Sequence, residues 1–241
     1  MRKDNAPNET MTVLCGERLK LLQEHNAYRF SIDPILLANF VHLKRRERML
    51  DIGTGCGIIP IYMALRYPEN TLMGIEIQKE LFDLAVRNLR LNKAANVHFL
   101  QGDVRSDIKT LPALFDVIVS NPPYVKQKTG KASPQPSRYL ARYESRLDLE
   151  SLCAISGSLL YAKGRLYVIY PAKRLGEFIS IARAHGLEPH RLRLIHPRKD
   201  EPANLFLIQC VKGGGIELRV EKPLYIYEDG DYTEEIKAYY A

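Results

Sequence analysis

The sequence predicts an α/β protein built on a doubly wound, mostly parallel sheet, and three observations carry that prediction. Short apolar runs alternate with helical stretches between about residues 46 and 212. This is the rhythm of βαβ units, which place helices on both faces of a parallel sheet. A glycine loop, Gly53-Thr54-Gly55-Cys56-Gly57, lies between the first run and the helix that follows it. The last two runs have no helix between them, so they should pair as an antiparallel hairpin at one edge of the sheet.

The elements follow in order. Residues 1–9 are polar and read as a loose tail, and residues 10–32 are short apolar pieces broken by charge. Asp33 is a good N-cap, and Pro34 a good first residue, for a helix over 34–43. Met49–Ile52 reads as a short buried strand and 58–66 as a helix. Thr71–Ile75 is a second strand that ends at Glu76. The helix over 80–91 turns Leu81, Leu84, Ala85 and Leu89 inward. Val97–Gln101 and Phe115–Ser120 are the third and fourth strands. Residues 126–146 are rich in Pro, Gly, Ser, Lys and Arg and read as a loop. A helix over 147–162, a strand over 165–170 and a helix over 175–185 ended by Gly186 follow. Strands over 187–196 and 204–211 complete the sheet. The chain therefore divides into an extension (1–45), an α/β domain (46–212) and a tail (213–241). Leu224, Tyr225, Ile226 and Tyr227 pack that tail on the core.

Composition narrows the function. With 35 Lys and Arg against 28 Asp and Glu, the net charge is +7, which suits a polyanionic partner. The four cysteines, Cys15, Cys56, Cys153 and Cys210, are too dispersed for a metal clip and too few for a disulfide scaffold. They read as buried or incidental thiols of a reducing cytoplasm. No signal peptide and no run of 18 apolar residues is visible, so neither export nor a membrane span is expected. The six histidines are scattered and form no catalytic constellation. No metal is expected.

The glycine loop differs from a dinucleotide loop. Its third glycine comes one residue early, and Ile58 stands where G-x-G-x-x-G would place it. Asp51 ends the strand before the loop, where a carboxylate would repel a pyrophosphate but pair with an ammonium. Glu76 ends the second strand, placed to accept from ribose hydroxyls. Asp103 follows the third strand, placed to accept from an adenine amino group. An ammonium, a ribose and an adenine without phosphate describe S-adenosylmethionine. The loop, acids and strand order resemble the class I methyltransferase family. That resemblance implies a Rossmann-like, seven-stranded sheet of order 3-2-1-4-5-7-6 with strand 7 antiparallel. The cofactor site then comprises Asp51, Gly53, Thr54, Gly55, Gly57, Glu76, Asp103, Val104 and Asn121.

Asn121-Pro122-Pro123-Tyr124 follows the fourth strand, at the sheet edge where ligands bind. The Asn121 side-chain carbonyl and the Pro122 carbonyl can accept both hydrogens of an amino group, and Tyr124 offers a flat face to a planar base. Asn121, Pro122 and Tyr124 are therefore the catalytic candidates. The segment resembles the (D/N/S)PP(Y/F/W) signature of amino-methyltransferases, which by itself leaves adenine, cytosine and glutamine acceptors open.

Further segments narrow the choice. They are 28–33 before the core, 137–144 after the acceptor motif, His196-Pro197-Arg198, Lys212-Gly213-Gly214, 223–227 and 232–235. In this order they resemble the bacterial tRNA(Val) adenine-N6 methyltransferase family, with Tyr143 where the family usually carries His. The resemblance implies methylation of an adenine beside the anticodon. Pro123, Lys126, Lys128, Arg138 and Arg142 are the candidate substrate contacts, since cations interleaved with rings suit unpaired RNA. Lys44, Arg45, Arg46 and Arg48 form a second basic cluster, and Arg191, Arg193, Arg198 and Lys199 a third. The rival readings are a protein-glutamine N5-methyltransferase acting on a release factor and an inactive nucleic-acid-binding module. The 45 residues before the core are few for the helical domain the first would carry. The intact acids and NPPY argue against the second.

Overall fold

The computed structural model describes residues 9–16, 18–24, 32–107, 111, 114–123 and 147–241. One sheet organises them. Its central strands are β3 (Arg48–Ile52), β4 (Thr71–Glu76), β5 (Val97–Gln101), β6 (Phe115–Ser120), β7 (Leu160–Pro171), β8 (Leu187–His196) and β9 (Leu205–Lys212). Across the sheet they run β5-β4-β3-β6-β7-β9-β8, and β9 alone is antiparallel to its neighbours. This is the predicted order, with all seven predicted strands present.

Two further strands extend the sheet. β10 (Arg219–Val220) and β11 (Leu224–Tyr225) both pair in parallel with β8. They escape a reading by hydrophobic period because two residues cannot display one. β12 (Tyr227–Glu228) and β13 (Asp231–Tyr232) form a small ribbon of their own. Upstream, β1 (Glu9–Leu14) and β2 (Leu19–Glu24) form an antiparallel hairpin from the pieces that read only as broken apolar runs.

The helices are α1 (Asp33–Phe40), α2 (Ile58–Ala64), α3 (Lys79–Asn92), α4 (Leu149–Leu159), α5 (Leu175–Ala184) and α6 (Glu234–Tyr240). They divide the core in two. Ile35 and Leu37 of α1, Ile59 and Met63 of α2 and Ile236 of α6 belong to one buried cluster. Leu152 and Cys153 of α4 and Phe178 and Ala182 of α5 belong to the other. Alternate side chains of a strand serve opposite faces: Met49 lies in the first cluster and Leu50 in the second, both fully buried.

Several boundaries differ from the sequence reading: α1 ends at Phe40 rather than 43, α2 at Ala64 rather than 66, and α4 spans Leu149–Leu159 rather than 147–162. Two starts differ for a visible reason. Asp33 is not the cap of α1 but lies within its first turn, buried. The helix starts one residue earlier, because the N–H groups of Ile35 and Leu36 both donate to the Ile32 carbonyl at 3.0 Å. The fifth strand begins at Leu160, directly after α4, rather than at Arg165. Phe115 pairs with Leu160 and Val117 with Arg165, so β7 carries an irregularity over the intervening residues, where Lys163 adopts φ 63°. A bulge of this kind hides the strand's period.

Candidate active site

Parallel strands β3, β4, β5 and β6 end at the same edge of the sheet, and the predicted polar residues sit at those ends. Asp51 is the penultimate residue of β3, Glu76 the last of β4 and Asp103 two residues beyond β5. Asn121 directly follows β6. Four side chains far apart in sequence thus come to four adjacent strand ends.

Tight turns build the loop after β3. Gly53, Gly55 and Gly57 have φ of 74°, 58° and 81°, the left-handed region that side chains disfavour. Gly57 also has no room for a Cβ, which would meet the Phe99 ring at 2.5 Å. The N–H groups of Gly53 and Thr54 donate to the Ile75 carbonyl at 3.0 and 3.1 Å, tying the loop to β4.

Asp51 is 1% exposed. Its Oδ2 accepts the Thr54 hydroxyl at 2.7 Å, while its Oδ1 is buried without a hydrogen-bond partner. Burial pushes its pKa up to about 7. The Thr54 bond opposes that rise, and the nearby Glu76 carboxylate adds to it. An unmet acceptor in such a place costs stability. A cationic ligand group would remove that cost, so the site fits an ammonium.

Glu76 is also buried, and it positions the loop. Its two oxygens accept the N–H groups of Gly55 and Gln78, each at 2.9 Å. A carboxylate can accept about four bonds, so holding the loop does not preclude ribose hydroxyls. Asp103 has a partner that the sequence reading lacked: Arg105 folds back on it, with its Nη2 2.6 Å from Oδ2 and its Nε 3.0 Å from Oδ1. The turn that brings them together is closed by the Ser106 and Asp107 N–H groups on the Asp103 carbonyl. Val104 in that turn is buried.

Asn121 and Pro123 are half-buried and Pro122 is buried. Ser120 anchors their start, donating to the Ile52 carbonyl at 2.9 Å. Tyr124, Lys126, Lys128, Arg138 and Arg142 lie outside the described residues, as does the rest of 124–146.

Two contributors to the site went unnoticed in the sequence. Gly74 of β4 lies where a Cβ would meet the Thr54 hydroxyl at 2.6 Å, so its bareness protects the Thr54–Asp51 bond. Asn88 is fully buried on α3 and donates to the Cys56 carbonyl at 3.0 Å. A polar residue one turn after Leu84, on the inward face, was the available signal.

Several members of the other two basic clusters form ion pairs within the fold. Arg45 and Arg46 approach Glu69, Arg191 pairs with Glu221, Arg193 with Glu235 and Arg198 with Glu201. Among the described residues no group of His, Cys, Asp and Glu could hold a metal, and no helix is long and apolar enough to cross a membrane.

Comparison with known proteins agrees with this geometry. Residues 31–135 match the family model of the methyltransferase small domain. The tRNA1(Val) (adenine(37)-N6)-methyltransferase of Aeromonas hydrophila is 30% identical over 211 residues, covering 86% of each chain. The like-named protein of Pseudoalteromonas translucida is 28% identical over 177 residues, 73% of this chain and 75% of its own. Among solved structures, a predicted O-methyltransferase from Agrobacterium tumefaciens superposes with a TM-score of 0.68 at 24% identity, over 86% of this chain and 94% of that one. It shares the class I methyltransferase fold. Sequence relatives spanning most of both chains, on a sheet with this order and this loop, place the chain in the tRNA1(Val) (adenine(37)-N6)-methyltransferase family.

Proposed function

We propose that this protein methylates N6 of an adenine in tRNA, beside the anticodon, with S-adenosylmethionine as donor. The observation that carries the reading is the placement of Asp51, Glu76, Asp103 and Asn121 at four adjacent strand ends. When bound, the cofactor supplies an electrophilic methyl group on a sulfonium. The chain's own residues bind and orient. Asp51 Oδ1 receives the ammonium, Glu76 the ribose hydroxyls, and Asp103 with Val104 frames the adenine. The Asn121 side-chain carbonyl and the Pro122 carbonyl accept the hydrogens of the target amino group. Drawing that nitrogen toward tetrahedral geometry frees its lone pair for in-line attack. The attack would break the methyl–sulfur bond and release a neutral thioether, and the methylated nitrogen would give up one of its two protons to water. Positioning and electrostatics do this work, and no general base of unusual pKa is required.

An adenine amino group is buried in a paired stem, so the target base must be unstacked or flipped. Tyr124 stacks on it, and Lys126, Lys128, Arg138 and Arg142 hold the adjoining backbone. The reaction takes place in the cytoplasm.

Mass spectrometry of tRNA from cells with and without the gene tests the reading. N6-methyladenosine should vanish from one tRNA when the gene is removed. Unchanged tRNA, with loss of a methylglutamine from a release factor, would replace adenine by glutamine as the acceptor. Charge reversal at Lys128, Arg138 and Arg142 should weaken tRNA binding and flatten its salt dependence, by roughly 0.7 in log–log slope per lost single-strand contact.

A further inference from the structure

Asn88 commits its whole side chain to two partners. Its Nδ2 donates to the Leu22 carbonyl at 3.2 Å and to the Cys56 carbonyl at 3.0 Å, and its Oδ1 accepts the Leu22 N–H at 2.7 Å. One helical turn later Asn92 does the same for Lys20, accepting its N–H at 2.9 Å and donating to its carbonyl at 2.7 Å. Residues four apart on a helix rise about 6 Å, and residues two apart on a strand rise about 6.6 Å. The two amides can therefore stand in for a neighbouring strand along the edge of β2 that β1 leaves open.

Asn92 Nδ2 also donates to the Asn88 carbonyl at 2.7 Å. Only Asn88 also reaches the glycine loop. Its bond to Cys56 fixes the peptide between Gly55, whose N–H is held by Glu76, and Gly57, which sits in the left-handed region against Phe99 and Ala85.

We propose that Asn88 is a positioning residue that ties the N-terminal hairpin to the cofactor loop, so that hairpin and cofactor stabilise each other. The proposal rests on the assignment of that loop to S-adenosylmethionine. Coupling of this kind is reciprocal: what the hairpin does for the cofactor, the cofactor does for the hairpin. A docked hairpin holds Asn88, Asn88 holds the Cys56 carbonyl, and the loop is already in its binding shape. A bound cofactor fixes the loop and so keeps the Asn88 amide in place for Leu22.

Backbone hydrogen exchange and titration calorimetry on the full chain, with S-adenosylhomocysteine as the probe, test this. In the parent, the probe should slow exchange across β1 and β2, most at the Leu22 amide. Asn88→Ala should bind the probe about tenfold more weakly and lose that slowing. Asn92→Ala should speed exchange near Lys20 and weaken probe binding much less than Asn88→Ala does, because Asn92 reaches the hairpin and the Asn88 carbonyl but not the loop; a loss as large as that in Asn88→Ala would overturn the direct role of Asn88. Parent-like affinity in a folded Asn88→Ala would overturn the proposal. So would a parent hairpin whose exchange ignores the probe, and that measurement stands even if Asn88→Ala fails to fold. A parent that does not bind the probe at all would overturn the cofactor assignment itself, and this proposal with it.

Discussion

At the end of β3, Asp51 keeps one carboxylate oxygen buried and without a partner. On β8, four strands away, Arg193 leaves no such gap. Its Nη1 and Nη2 donate to Glu235 at 2.6 and 2.8 Å, and its Nε donates to the Lys222 carbonyl at 3.0 Å. Both are ionisable side chains of the same sheet. The first is poorly satisfied and faces the glycine loop; the second is well satisfied and fastens the tail. Satisfaction separates them more clearly than charge or burial does. Arg193, which supports the fold, has its partners inside the chain, while one oxygen of Asp51 has none.

The predictions test that contrast, from the largest expected effect to the smallest. Asn121→Ala should lower single-turnover methyl transfer about a hundredfold or more and leave cofactor affinity as it was. Near-normal transfer would remove Asn121 from the chemistry.

Asp51→Asn should weaken cofactor binding by about 1–3 kcal/mol, read by calorimetry, and yet stabilise the cofactor-free protein at pH 8. The sign follows from burial. The Asp51 pKa is raised to about 7, so the folded state holds a proton that the unfolded state has released. This part of the stability is present at low pH and is lost as pH rises toward 7. Cofactor affinity in the parent should climb over the same interval and fall again as the ligand's ammonium loses its proton at about pH 8, whereas Asp51→Asn should lack the climb. A pH-independent parent would show that Asp51 is not the ammonium's partner.

Arg193→Ala should cost about 2 kcal/mol in urea unfolding and leave cofactor affinity alone. The Arg193 guanidinium holds the Glu235 carboxyl below its usual range, against the opposing effect of burial. This contribution is present at neutral pH and fades as the solution is acidified through the lowered pKa. Glu69→Ala, which removes the exposed partner of Arg45 and Arg46, should change stability by less than about 0.5 kcal/mol. A loss at Glu69 as large as that at Arg193 would break the link between satisfaction inside the fold and support of it.

Local sequence determined the elements that carry a period and the turns that carry a constraint. The strands from β3 to β6 were legible because a buried parallel strand is a short apolar run between turns. The glycine loop was legible because left-handed φ selects glycine. With the strands and the loop placed, the strand-end positions of Asp51, Glu76, Asp103 and Asn121 followed from counting. The hairpin of β1 and β2, the short β10 and β11 and the early start of β7 were not legible. The first is anchored by Asn88 and Asn92, some 70 positions later in the chain. The second pair exists because β8 offers an edge, and the third is concealed by a bulge. Tertiary structure alone decided how each acid is partnered. Thr54 bonds Asp51, two backbone N–H groups hold Glu76, and Arg105 turns back onto Asp103. Spacing can put a carboxylate at a strand end; only the folded chain determines which of its oxygens still lacks a partner.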